Sequence, residues 1–363
     1  MPEVSVGPPL RIALILTNLA GGGAEKAMLK MAALLAARDH EVEVVLLEDR
    51  RDHDVPEGVA VRALAASGSL SHGWLGRRIA AGRLRRLLDG GRSHDLIVST
   101  LPFADEIADR AHLRNHWCRI ANTLSAEIAL LARNDPAKAA RRRARYRALY
   151  ARHPLIAVSQ GVGEDLRTAL GLETRIAVIP NPFDPESIHK LAALPEPALP
   201  ARPYVIHVGR FSPQKRHDLL LDAWARLPQA PELVLLTAPD PRLDHMIEAR
   251  GLSGRVRVAG FQTNPYPWIA RASLLVLCSD HEGLPNVLLE AMACGTPVVS
   301  TDCPSGPREI LAALPECLVP CGDAGALARA VTRALARPPE CDCVDFAPYA
   351  PEAVAAAWEG LAG

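Results

Sequence analysis

Aromatic side chains are scarce in this 363-residue chain, at 4% of the total, and neither charge sign prevails: 41 Lys and Arg balance 41 Asp and Glu. Neutrality removes a whole-molecule argument for nucleic-acid binding, and the shortage of aromatics removes the stacking set that single strands need. No apolar run reaches the roughly 18 residues that cross a bilayer. The start, Met1-Pro2-Glu3-Val4, lacks the basic flank and apolar core of a signal peptide. Eight cysteines are present, but Cys317-x3-Cys321 and Cys341-x-Cys343 match no common zinc pair, and no Cys/His set completes four ligands. They read as reduced thiols, and no metal or other cofactor is expected. No repeat of the length that builds solenoids is present.

What remains is globular: 49% hydrophobic and 23% charged residues, in a chain long enough for two domains. Apolar strand-like runs alternate with helical stretches, which predicts parallel sheets covered by helices. Strands are expected at residues 11–16, 42–47, 95–100, 117–120, 155–158 and 176–179, then at 204–208, 233–237, 256–259, 274–278 and 297–300. Helices are expected at 24–37, 218–226 and 286–294. Seven prolines between residues 180 and 203 mark a candidate linker. The net charge is +5 over residues 1–190 and −5 over the rest, so the first half is expected to meet something anionic.

Three turns carry candidate chemistry. Gly21-Gly22-Gly23-Ala24-Glu25-Lys26 lies where the first strand becomes the first helix. Glycines there let backbone approach a ligand, and free amides at the helix start favour an anion; a tight turn that merely packs helix on strand is the competing reading. The third glycine of G-x-G-x-x-G and the Lys-Ser/Thr pair of a Walker motif are both missing. Val208-Gly209-Arg210-Phe211-Ser212-Pro213-Gln214-Lys215 places two cations after a glycine turn, which suits a diphosphate; a solvated basic loop is the alternative. The third run, Ser279-Asp280-His281-Glu282-Gly283-Leu284-Pro285-Asn286-Val287-Leu288-Leu289-Glu290, puts Pro285 in the first turn of a helix. Residues 282–286 should then offer free amides, with Glu282 and Glu290 as hydroxyl acceptors.

The Glu282-x7-Glu290 spacing, the early Gly-Gly-Gly-Ala-Glu-Lys run, the Gly209-Arg210…Gln214-Lys215 loop and the later Gly295-Thr296-Pro297-Val298-Val299 resemble glycosyltransferase family 4 from residue 11 to about 335. Glu282-Gly283-Leu284-Pro285-Asn286, followed by residues 300–309, is similar to bacterial enzymes that build surface polysaccharide or lipid-linked oligosaccharide. The resemblance implies an α/β GT-B fold, two Rossmann-like β/α/β domains facing a central cleft. The expected division is residues 1–185 for the acceptor, 186–340 for the nucleotide sugar, and 341–363 as a C-terminal segment whose helix packs back on the first domain.

It further implies a retaining transferase that moves a hexose or N-acetylhexosamine from a nucleotide-sugar donor, UDP-linked by preference, to a lipid-linked saccharide or lipopolysaccharide precursor. Carried onto this sequence, Arg210 and Lys215 neutralise the diphosphate and Glu282 contacts the donor sugar near its reacting carbon. The amides of Gly283, Leu284, Pro285, Asn286 and Val287 hold sugar and phosphate, Glu290 binds the ribose, and Gly22 and Gly23 close on the diphosphate. The histidine that many members carry in the first domain has no counterpart here: the strand at 117–120 is followed by Ala121-Asn122-Thr123-Leu124-Ser125. Two rivals stand beside this reading, a GT-B sugar-nucleotide epimerase and a non-catalytic protein that binds anionic membranes.

Three features lie outside these motifs. Asp52-His53-Asp54 has the form of a D-x-D metal motif but lies in a charged loop outside the context in which that motif works. His112 and His116 are spaced to share a helix face and read as solvated surface residues. Residues 133–152 carry a net charge of +7 with only a thin stripe at Ala140, Ala144 and Ala148. That segment reads either as a solvated face or as an electrostatic dock for an anionic membrane surface, which would place the protein in the cytoplasm, peripheral on the inner face of the membrane. No nucleic-acid partner is expected.

Overall fold

The computed structural model describes residues 8–20, 22–65, 73–340 and 343–362. Gly21, Cys341 and the Met1–Val4 start therefore lie outside the described residues. Two compact units emerge, one running to Pro182 and resuming at Ala347, the other spanning Phe183–Phe346.

The first unit contains β1 (Arg11–Leu16), α1 (Gly23–Ala36), β2 (Glu41–Leu46), β3 (Ala60–Ala63), α2 (Trp74–Asp89), β4 (Leu96–Thr100), α3 (Pro102–Ala111) and β5 (His116–Ile120). It continues through α4 (Leu124–Ala132), α5 (Pro136–Tyr150), β6 (Leu155–Ala157), α6 (Gln160–Glu164) and β7 (Ile176–Val178). Among the described residues its seven parallel strands lie in the order β3-β2-β1-β4-β5-β6-β7. Alternation along β1 explains the layering. Ile12, Leu14 and Leu16 join Met28, Met31 and Leu35 of α1 on one side. Ala13 and Ile15 meet Ala80 and Leu84 of α2 and Ile107 of α3 on the other. Burial on both faces is why β1 reads as an unbroken apolar run.

The second unit repeats the plan with α7 (Pro185–Ala192), β8 (Tyr204–Val208), α8 (His217–Ala225), β9 (Glu232–Leu236), α9 (Pro241–Glu248), β10 (Val256–Val258) and α10 (Tyr266–Ala270). It goes on through β11 (Leu274–Leu277), α11 (Asn286–Ala293), β12 (Val298–Thr301), α12 (Gly306–Ile310), β13 (Leu318–Val319) and α13 (Ala324–Ala336), with strand order β10-β9-β8-β11-β12-β13. In both sheets the order reverses beside the first strand, the crevice where open α/β sheets bind ligands. A last helix, α14 (Pro351–Glu359), returns to the first unit. There Trp358 enters the core and Glu359 accepts from Arg38 Nε at 2.6 Å and lies 2.9 Å from His40 Nε2.

Several expectations are corrected. The proline-rich stretch is not a bare linker: α7 forms inside it, with Pro185 at its start and the Asp184 carboxylate accepting from the Glu186 amide at 3.0 Å. β3 and β13 were not anticipated. His112 and His116 do not share a helix, because His112 caps α3 in the left-handed region (φ 52°) and His116 opens β5. Nor is His116 solvated; it is 4% exposed, and burial lowers its imidazole to about 3. The buried face of α5 is Ala139, Tyr146, Leu149 and Tyr150 rather than the stripe of small residues.

Tyr150 reaches into a polar core. Its hydroxyl donates to Asp105 Oδ2 at 2.8 Å, Ser99 Oγ donates to Asp105 Oδ1 at 2.5 Å, and Ser99 Oγ also lies 2.8 Å from His116 Nε2. Asp105 is fully buried, and burial raises its carboxyl to about 7 against the opposing pull of those hydrogen bonds and of Arg119. The folded protein thus holds this proton more tightly than the unfolded chain. The resulting stability is complete below the ordinary aspartate value of 3.8 and is lost as pH rises toward 7. An Asp105→Asn variant stays neutral throughout, so its stability relative to wild type should rise steadily across that window in urea unfolding at stepped pH. A difference independent of pH would contradict the assignment.

Candidate active site

β8 and β11 are neighbours in register, Val205 opposite Leu274 and Ile206 opposite Leu275, so the loops that follow them leave the sheet at the same edge. Hydrogen bonds join the two loops. The Asp280 amide donates to the Gln214 carbonyl at 2.9 Å, and Gln214 Nε2 donates to the His281 carbonyl at 2.7 Å. Arg216 spans them with Nη1 on Asp280 Oδ1 at 2.8 Å and its other nitrogens on the Asp218 carboxylate. Those two carboxylates hold the guanidinium pKa above its ordinary value.

At the centre of this frame Lys215 Nζ donates to Glu282 Oε1 at 2.6 Å, and Ser279 Oγ donates to the same oxygen at 2.6 Å. Glu282 is 7% exposed and Lys215 is partly open to solvent. A β-carbon at Gly209 would lie 3.4 Å from Lys215 Cδ and Cε and from His207 Nε2, so the lysine stem runs in contact distance of this turn. Beneath the loop, His207 and His217 meet edge to face at 4.8 Å. Burial holds His207 well below its ordinary pKa and lowers His217 to about 4, so neither adds charge under Lys215 at neutral pH. Two neutral rings therefore lie beneath one cation.

The run after Glu282 is locked from below. The Gly306 amide donates to the Gly283 carbonyl at 3.0 Å, and a β-carbon on Gly306 would stand 2.5 Å from Pro285 Cδ, 2.7 Å from Gly283 O and 2.9 Å from Leu284 Cα. The helix starts at Asn286 as expected, but Pro285 stands at its cap rather than in its first turn. A proline brings no N–H, so the donors of this run are the amides of its other residues. Glu290 lies one turn into α11, its Oε1 3.3 Å from the Tyr266 hydroxyl.

Two family models cover most of the chain in tandem. One, described as Glycosyltransferase Family 4, matches residues 21–187; the other, described as Glycosyl transferases group 1, matches residues 202–337. The chain belongs to glycosyltransferase family 4. It is a glycosyltransferase with the GT-B fold, two parallel-sheet Rossmann-like units. A Campylobacter jejuni relative, named as an N-acetylgalactosamine-N,N'-diacetylbacillosaminyl-diphospho-undecaprenol 4-alpha-N-acetylgalactosaminyltransferase, is 26% identical over 83% of each chain. The lipopolysaccharide 1,6-galactosyltransferase of Escherichia coli is 31% identical over 43% of this chain and 45% of its own. Among solved structures, sucrose-phosphate synthase from Thermosynechococcus elongatus superposes with a TM-score of 0.74 at 22% identity, covering 97% of this chain and 96% of its own. Anabaena HepE in complex with UDP-glucose gives 0.68 at 21% identity, covering 97% and 94%.

Of the family residues expected from the sequence, Lys215, Glu282 and Gly283 come together in the second unit. Arg210 is exposed next to Gly209 and makes no ion pair among the described residues. Gly22 and Gly23 open α1 at the end of β1 in the first unit. Near them lies a group that the motifs did not reveal: Arg119, buried in β5, donates to Thr100 Oγ1 at 3.3 Å and to Asn181, and also feels the charge of Glu25. Burial lowers its guanidinium to about 10. Ser279 and Arg216 were missed as well, although Arg216 had a signal in Asp218 two residues on.

Gly306→Ala should displace backbone of the Gly283–Pro285 run, costing about 1–3 kcal/mol in chemical unfolding. It should also lower sugar transfer under conditions where the variant remains folded. Unchanged stability and activity would mean that this packing does not shape the site.

Proposed function

We propose that this glycosyltransferase moves a hexose or N-acetylhexosamine, with retention, from a UDP-sugar to a lipid-linked saccharide or lipopolysaccharide precursor in bacterial surface-glycan synthesis. It would work in the cytoplasm, peripheral on the inner face of the membrane. The observation that carries the reading is the Lys215–Glu282 pair, seated on Ser279 at the reversal point of the second sheet. As the glycosidic bond breaks, negative charge grows on the departing phosphate oxygens. An ammonium has three N–H donors, of which Glu282 engages one, so Lys215 can hold the carboxylate and meet that charge together. Arg210, exposed on the same loop, adds a planar fork for diphosphate.

Glu282 is assigned to the donor sugar beside its reacting carbon, and Glu290 to the ribose hydroxyls. The amides of Gly283, Leu284, Asn286 and Val287 are assigned to sugar and phosphate, and the glycine turn at Gly22 and Gly23 to a substrate contact of its own. Support for the acceptor class comes from the relatives' names, one stating a diphospho-undecaprenol saccharide and another lipopolysaccharide. Support for uridine comes from the HepE complex.

The test is transfer of labelled sugar from a panel of UDP- and GDP-sugars to a lipid-linked acceptor, with the anomeric configuration of the product read by NMR. One UDP-sugar should give an α-linked product in the presence of a chelator, and Lys215→Ala should lower the rate about a hundredfold. Release of free or epimerised sugar without transfer, or strict dependence on a divalent cation, would overturn the reading. Gly23→Ala is a clean probe of the first unit because a β-carbon there meets nothing within 4 Å. Its melting temperature should match wild type while transfer falls; undiminished transfer would make the turn purely architectural.

A further inference from the structure

The solvent side of α2 carries a pattern that sugar transfer does not use. The helix buries Ala80, Ala81, Leu84 and Leu88, and Arg77 pairs with Glu106 of α3. On the opposite side of its first turns, Trp74, Leu75 and Ile79 are 66%, 61% and 48% exposed. These are half of the six large apolar side chains exposed among the described residues, gathered on one helix. Around them the same outward half displays Arg78, Arg83, Arg85 and Arg86, and the Arg78 guanidinium lies 5.7 Å from the centre of the Trp74 ring. The helix carries five arginines against Asp89 alone, a net charge of +4.

We propose that α2 is a docking surface for an anionic lipid bilayer. Trp74, Leu75 and Ile79 enter the boundary between headgroups and acyl chains, and the surrounding arginines pair with lipid phosphates. An indole with aliphatic neighbours suits that boundary, and long arginine side chains can lie along it while their charges stay at the phosphate level. Charge complementarity selects an anionic surface over a neutral one.

The more basic helix, α5, is the poorer anchor. Arg142 is held by Glu127, Arg143 by the Ala169 carbonyl and Arg152 just beyond its end by Asp109 of α3, and α5 is absent from the exposed apolar set. The inference deepens the proposed function by naming where a lipid-linked acceptor is met, but its test needs neither donor nor acceptor.

Trp74 supplies the readout: of the five tryptophans, Trp117, Trp224, Trp268 and Trp358 are each no more than 4% exposed. The full chain should sediment with mixed phosphatidylcholine–phosphatidylglycerol vesicles and not with phosphatidylcholine alone. Its emission should shift to the blue and be quenched by brominated lipid. The triple variant Trp74→Ser, Leu75→Ser, Ile79→Ser should keep its melting temperature and its transfer to a detergent-soluble acceptor while its vesicle partitioning falls at least about tenfold. Arg78→Gln with Arg85→Gln and Arg86→Gln should weaken binding to anionic vesicles. Failure of wild type to bind anionic vesicles, or equal binding by the triple-serine variant, would overturn the proposal. So would a wild-type dimer that the serine substitutions convert to monomer, since the face would then serve a second copy. Each of these outcomes can occur with transfer to the soluble acceptor intact, which separates this proposal from the reading of the site.

Discussion

The ion pair between Lys215 and Glu282 is the constraint around which the second unit's site is arranged. Taking a carboxylate and an ammonium largely out of water is costly, and the pair is tolerable only with good geometry and further hydrogen bonds. Both conditions hold: the contact is 2.6 Å, and Ser279 supplies a second donor to the same carboxylate oxygen. An electrostatic pair of this kind fixes the relative position of two loops that are 67 residues apart in sequence. Loss of either partner leaves a charge without its counterpart, so this part of the structure has little freedom to drift.

Around that pair the protein sets position and charge separately. Arg216 spans the two loops through Asp280 and Asp218 and thereby holds the backbone that carries Lys215. His207 and His217 fill the space below without contributing charge at neutral pH. Gly306 supports the other flank because only a residue without a β-carbon fits under Pro285. Preorganised charge of this kind stabilises a transition state without reorganising as the bond breaks.

Much of this was legible in the chain. The runs of β1 and β8 are apolar enough to announce buried parallel strands, and the run that begins at Glu282 does lead into a helix, α11. What escaped the reading has physical causes. β3 is an edge strand of four residues, one exposed and three half-buried, and β13 has two residues, so neither offers a long apolar run. α7 was hidden by prolines that signal a linker, although the Asp184-Pro185 step also starts helices. The spacing of His112 and His116 fits a helix, but left-handed residues at His112 and Asn115 end that helix and turn the chain into β5. The amphipathic character of α2 was masked by its arginines, which occupy the same face as its exposed apolar residues. The Lys215–Glu282 contact depends on strand order, which local patterns do not encode.

The most direct measurement is the affinity of UDP, without sugar or acceptor, for wild type, Lys215→Met and Glu282→Gln by titration calorimetry. If Lys215 is the diphosphate's cation and Glu282 its competing partner, Lys215→Met should weaken binding by at least about tenfold. Glu282→Gln, which frees the lysine from a charged partner, should bind UDP as tightly as wild type or more so while losing transfer. Equal affinity in all three proteins would contradict a donor site built on this pair.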